Sequence, residues 1–139
     1  MTRAMDGVAF AGARPVHTAR RDAGKRAWLA GMAAEDRAKD AYARAGRPCL
    51  DQRWRGRSGE IDLVLRDGGT YVFAEVKQAR TMEEAIARLR PAQMRRIHAA
   101  ASEYLARTPD GQLSDVRFDL VAVDGTGRAE ILEGAFSHF

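Results

Sequence analysis

Two short runs in the middle of the chain, residues 60–66 and 70–77, are rich in β-branched, aliphatic and aromatic side chains, and Asp67-Gly68-Gly69 stands between them. That pattern predicts a β-hairpin with a tight turn. Upstream, Trp28, Met32, Glu35, Ala38 and Tyr42 recur at spacings of three and four. They predict a helix from Asp22 to about Ala45, stopped at Gly46, with this stripe toward the core. Cys49–Arg55 reads as a first strand. Thr81-Met82-Glu83-Glu84 has the pattern of a capping box, which opens a short helix. Pro91 interrupts it and suits the first position of a longer helix reaching Ala106 or Arg107. Val116–Val123 alternates as a strand, and Asp124-Gly125-Thr126-Gly127 turns into a last one near Ala129–Leu132. The order α-β-β-β-α-β-β predicts an α+β or mixed α/β layer fold. Residues 1–21 show no periodicity and are expected to form a mobile arm ahead of a single domain over 22–139.

The hairpin carries charges that a bland one would not. With Asp67 facing Thr70, Asp62 is expected opposite Glu75 and Glu60 opposite Lys77. Side chains alternate, so Asp62, Glu75 and Lys77 are expected on one side and Ile61, Leu63, Ala74 and Val76 on the other. Two opposed carboxylates repel unless something neutralises them. A divalent cation with oxygen ligands, Mg²⁺ or Mn²⁺, would do so, and Glu35 would complete the set if its helix packs across the hairpin. Such a site suits phosphodiester hydrolysis, in which Lys77 would contact the phosphate or orient the water. The plain alternative is a Glu60–Lys77 salt bridge with Asp62 and Glu75 on a solvated face.

Charge adds a partner. The chain of 139 residues has a net charge of +4, but residues 1–57 carry 13 Lys/Arg against 6 Asp/Glu. Arg53, Arg55 and Arg57 lie just before the hairpin, so contacts to the phosphates of a nucleic acid are expected there. Trp54 suits a strand-end anchor better than a base-stacking platform. The single cysteine, Cys49, excludes an intrachain disulfide and a cysteine-based metal site. No apolar run is long enough to span a membrane, and the cytoplasm is the expected location. A Gly-rich phosphate loop and a nucleophile elbow are both missing from the sequence.

Glu35, Gly59-Glu60-Ile61-Asp62-Leu63, Phe73-Ala74-Glu75-Val76-Lys77, Arg117-Phe118-Asp119-Leu120-Val121, Trp54-Arg55-Gly56 and Gly134-Ala135-Phe136 together resemble the YraN-like family of small bacterial proteins. The resemblance covers about residues 24–136. It implies a restriction-endonuclease-like core, a mixed central sheet flanked by helices, similar to Holliday-junction resolvases and other PD-(D/E)xK nucleases. Asp62, Glu75 and Glu35 would then be the metal ligands and Lys77 the catalytic lysine, with Gln93 reaching toward the site from the long helix. DNA, branched or structured, would be the substrate, and a two-fold homodimer would suit a symmetric junction. A nucleic-acid-binding module without turnover, or a protein-interaction domain, would be the alternatives on the same fold. Two positions depart from the family pattern. Gln78-Ala79-Arg80 displaces a basic residue to Arg80, and Pro91-Ala92-Gln93-Met94 is poorer in basic residues than its counterparts.

Overall fold

The computed structural model describes residues 16–138. Its elements are α1 (Val16–Arg44), β1 (Cys49–Arg55), β2 (Glu60–Asp67), β3 (Thr70–Gln78), α2 (Met82–Ala87), α3 (Pro91–Leu105), a 3₁₀ turn (Gly111–Leu113), β4 (Asp115–Val123) and β5 (Ala129–Leu132). Of the expected arm, residues 1–15 lie outside the described residues and 16–21 are helical. The chain divides into a unit up to Met32 and a compact body over 33–139. The described side chains of α1 up to Met32 are mostly exposed. Trp28 is accordingly 62% exposed, contrary to the expectation that it faces a core. Among the described residues no helix is long and apolar enough to cross a membrane.

The body is built on a five-stranded mixed sheet in the order β1-β2-β3-β4-β5. Every pair is antiparallel except β3 and β4, whose parallel pairing requires the crossover through α2 and α3. Each face has its own core. On one, Phe73, Phe118 and Leu120 pack with Ile97, Ala101 and Tyr104 of α3 and with Phe136. On the other, Leu63, Leu65, Val72 and Val121 pack with Ala34, Ala38 and Tyr42 of α1. Thr81 caps α2, accepting a hydrogen bond from the Glu84 amide, and Pro91 opens α3.

The hairpin departs from its expected register where it matters most. Asp67 pairs with Thr70 as expected, but the β2–β3 ladder ends at Leu63 and Ala74. Beyond that point the Val76 amide donates to the Asp62 carboxylate instead, at 2.8 Å. A side chain thus replaces the ladder bond and the strands part. Face alternation breaks at the same place, since Ile61 packs toward α3 while Leu63 packs toward α1. The expected Glu60–Lys77 pair does not form. Glu60 lies opposite Arg55 in β1 and takes its guanidinium at 3.2 Å, while Lys77 turns to Glu75.

Candidate active site

Where β2 and β3 part, Asp62 and Glu75 are drawn together. Glu75 is buried, and its Oε2 receives Lys77 Nζ at 3.2 Å and Gln93 Nε2 at 2.8 Å. β3 places Glu75 and Lys77 on one face because they are two residues apart, and α3 brings Gln93 over that face from its first turn. The Asp62 and Glu75 carboxyl groups act on each other through charge and hydrogen bonding, which favours one retained proton between them. Burial, and then the Glu75 charge, push the Asp62 carboxyl up to about 8. Burial also raises Glu75, with Lys77 opposing it. Asp62 is therefore the proton carrier of the pair.

Glu35 comes from α1, on the other side of the sheet. Burial raises its carboxyl, Asp62 adds to the shift, and Arg53 opposes it. A guanidinium nitrogen of Arg53 lies 2.8 Å from Glu35 Oε1, yet this buried oxygen receives no well-aligned hydrogen bond. Glu35 and the Asp62–Glu75 pair influence one another electrostatically, but among the described residues no three acidic, histidine or cysteine side chains are gathered closely enough to hold one metal ion.

A pocket of about 180 Å³ opens over the pair, lined by Gly59, Glu60, Asp62, Glu75, Gln93 and Arg96. Neither Glu35 nor Lys77 lines it. Arg96 was not singled out in the sequence, although it lies three residues after Gln93 and so shares its helix face. It is exposed and forms no ion pair among the described residues. Of the three arginines expected to grip phosphates, Arg53 is taken up by Glu35 and Arg55 by Glu60, because the β1–β2 register sets Arg55 opposite Glu60. Arg57 is exposed, in a loop whose Arg57 and Ser58 amides donate to Glu103 of α3 at 2.7 and 2.9 Å. Sequence reasoning missed Glu103, and no local pattern marks it. Trp54 stands edge-on to Tyr104 at 5.3 Å, as a strand-end anchor.

A second buried carboxylate is of another kind. Asp119 accepts hydrogen bonds from the Tyr42 hydroxyl at 2.8 Å, from the Arg117 guanidinium at 2.9 and 3.1 Å, and from the Gly134 amide at 2.9 Å. Arg117 also holds Asp67, at 2.7 Å. This network is satisfied, and it ties α1, β2, β4 and the C-terminal segment together.

The chain is thus a mixed α/β protein with a buried, proton-holding carboxylate pair beside a lysine, a glutamine and an arginine. Residues 34–123 match the sequence pattern of the uncharacterised protein family UPF0102, and the chain belongs to that family. It is 54% identical over 115 residues to a UPF0102 protein of Ruegeria pomeroyi, covering 83% of this chain and 94% of that one. A UPF0102 protein of Cereibacter sphaeroides is 52% identical over 108 residues, covering 78% and 92%. One of Dinoroseobacter shibae is 45% identical over 118 residues, covering 85% and 88%. The resemblance drawn from the motifs holds at the level of the family.

Proposed function

We propose that this protein is a cytoplasmic, metal-dependent endonuclease that hydrolyses phosphodiester bonds in branched or structured DNA. The observation that carries the reading is the Asp62–Glu75 pair. Two carboxylates are pressed together under burial, and one keeps its proton to about pH 8. Asp119 is satisfied by fixed donors; the Asp62–Glu75 pair is balanced by Lys77 only while it also holds a proton, whose place a divalent cation could take. By donor chemistry the acids here suit one, although among the described residues no three of them are gathered around one position. Asp62, Glu75 and Glu35 supply the hard oxygen donors that Mg²⁺ or Mn²⁺ prefers, and Glu35 Oε1 is a buried oxygen with no aligned donor. When bound, such an ion would lower the pKa of a coordinated water and polarise the phosphate.

The chain's own residues supply the rest. Gln93 orients Glu75 through its amide N–H. Lys77, held beside Glu75, offers a positive charge to a phosphate oxygen as charge develops there. Arg96 at the pocket and Arg57 on the adjoining loop are available to neighbouring phosphates.

Nicking assays on branched and single-strand-gapped DNA with Mg²⁺ or Mn²⁺ test the reading. Cleavage is expected from the wild type and is lost in Asp62→Asn and Lys77→Ala with the fold intact. Salt-sensitive DNA binding without cleavage of any structure would make the protein a non-catalytic binding module. An absence of nucleic-acid binding would favour a protein-interaction domain.

A further inference from the structure

α1 changes character along its length. Residues 16–32 carry Arg20, Arg21, Lys25 and Arg26 against one acid, Asp22, whereas residues 33–44 of the same helix set three acids against three Lys/Arg. A solvated helix face ordinarily places opposite charges three or four residues apart, as Asp36 with Lys39 and Asp40 with Arg44 do in the second stretch. The first stretch does not. Its four cations are exposed, and none makes an ion pair among the described residues.

The same stretch leaves its bulkiest apolar side chains in water, with Trp28 62% exposed and Leu29 49%. Arg21, Lys25 and Trp28 fall at i, i+4 and i+7, so they stand on one stripe, with about 6 Å and then about 4.5 Å of helix rise between them. Two cations followed by an exposed indole suit an unpaired nucleic-acid strand. The cations meet phosphates and a base stacks on the ring, which a duplex does not offer because its bases are already stacked. An anionic lipid surface fits less well, since Ala and Gly make up most of the rest of the stretch and give a membrane little to bury.

We propose that residues 20–29 of α1 form a binding face for single-stranded nucleic acid. Arg21 and Lys25 take phosphates, Trp28 stacks on a base, and Arg20 and Arg26 add positive charge around them. The inference rests on the nucleic-acid part of the reading above and names the feature of a branched or gapped substrate that this chain holds, an unpaired strand. It makes no demand of the Asp62–Glu75 pair or of any metal.

Oligothymidylate, which cannot pair with itself, titrated into the full chain in metal-free buffer tests it. Trp28 and Trp54 are the only tryptophans, and Trp54 is packed edge-on against Tyr104. Trp54→Phe, which keeps a ring there, leaves Trp28 as the sole tryptophan reporter, and its fluorescence is expected to be quenched by the oligomer. Trp28→Ala should weaken oligothymidylate binding about tenfold, read by anisotropy of a labelled oligomer, and leave binding to blunt duplex DNA unchanged. Arg21→Ala combined with Lys25→Ala should lower the slope of log affinity against log salt by about 1.4. Thermal melting shows that each variant is folded. Oligothymidylate binding as tight as wild type in both variants would overturn the proposal, and cleavage of branched DNA by the same wild type would leave the nuclease reading standing. Trp28-dependent binding without cleavage of any DNA would support the proposal and overturn the nuclease reading. An unquenched Trp28 that shifts to the blue on phosphatidylserine vesicles, or self-association lost in Trp28→Ala, would overturn the proposal by giving the face to a lipid surface or to a second copy of the chain.

Discussion

Asp62 keeps its proton into the neutral range because burial and Glu75 both oppose its ionisation, and the sign of its effect on stability follows. A free aspartate titrates near 3.9 and this one near 8, so between those values the folded protein binds more protons than the unfolded chain. Stability from this group is full below about pH 4 and is lost as pH rises toward 8. Asp62→Asn removes the titration, while its amide oxygen can still accept from Val76. The metal-free variant should therefore be more stable than wild type at pH 8, by on the order of 2 kcal/mol. At pH 4 the two should melt alike. Thermal melts across that range without metal check the prediction, and equal slopes for the two proteins would refute it. Asp62, Glu75 and Lys77 were legible as a group because period-two spacing places them, and Gln93 joined them through the family resemblance. Arg53 was not, since one backbone angle, φ +47°, redirects it and nothing in its sequence neighbourhood announces that angle.

At the scale of elements, strand bounds and the starts of α2 and α3 followed the pattern closely, because turn and cap residues act locally, while α1 is helical from Val16, before the expected cap at Asp22. Thr81 illustrates this. Its hydroxyl accepts from the Glu84 amide, so Thr81→Ala should cost about 1 kcal/mol, read as a lower denaturant midpoint with an unchanged m-value. What local rules did not reach is how elements meet. The end of the β2–β3 ladder at Leu63 and Ala74 depends on a side chain of one strand bonding a backbone group of the other. The β1–β2 loop is likewise fixed from afar. Glu103 accepts from the Ser58 hydroxyl and from both loop amides, which holds its carboxyl below the usual range. That clamp is present above the ordinary glutamate pKa and is lost as pH falls through the lowered value. Glu103→Ala should speed hydrogen exchange at the Arg57 and Ser58 amides while leaving the middle of α3 protected. It should also weaken DNA binding, since Arg57 loses its fixed position. Unchanged exchange at those two amides would show that the loop holds itself.

For the whole body, the sheet separates two buried charge clusters by face and by kind. Ala74 is the register partner of Asp119, and on that face Asp119 meets Tyr42 of α1; Glu75, the next residue along β3, turns to Gln93 of α3. The Asp119 cluster is complete, with donors from three residues, Tyr42, Arg117 and Gly134, closing around one carboxylate while Arg117 also holds Asp67. The Asp62–Glu75 cluster is balanced only by holding a proton, since it sets two acids against one lysine. Sequence alone ranked these aspartates by motif and could not distinguish them by satisfaction, because Tyr42 and Gly134 reach Asp119 only in the folded chain. Substitution at the two positions should move stability in opposite directions. Asp119→Ala leaves Arg117 and Tyr42 without their partner in the interior and should cost about 3–5 kcal/mol. Asp62→Asn should stabilise the metal-free protein at neutral to alkaline pH. Adding Mn²⁺ should raise the melting temperature of wild type toward or past that of Asp62→Asn and leave the deficit of Asp119→Ala unchanged, because an ion can take the place only of the proton held by the carboxylate pair. Parallel melts of the three proteins with and without Mn²⁺ measure this. If Asp62→Asn destabilises as Asp119→Ala does and Mn²⁺ moves neither, both clusters are structural and the carboxylate pair is no cation site.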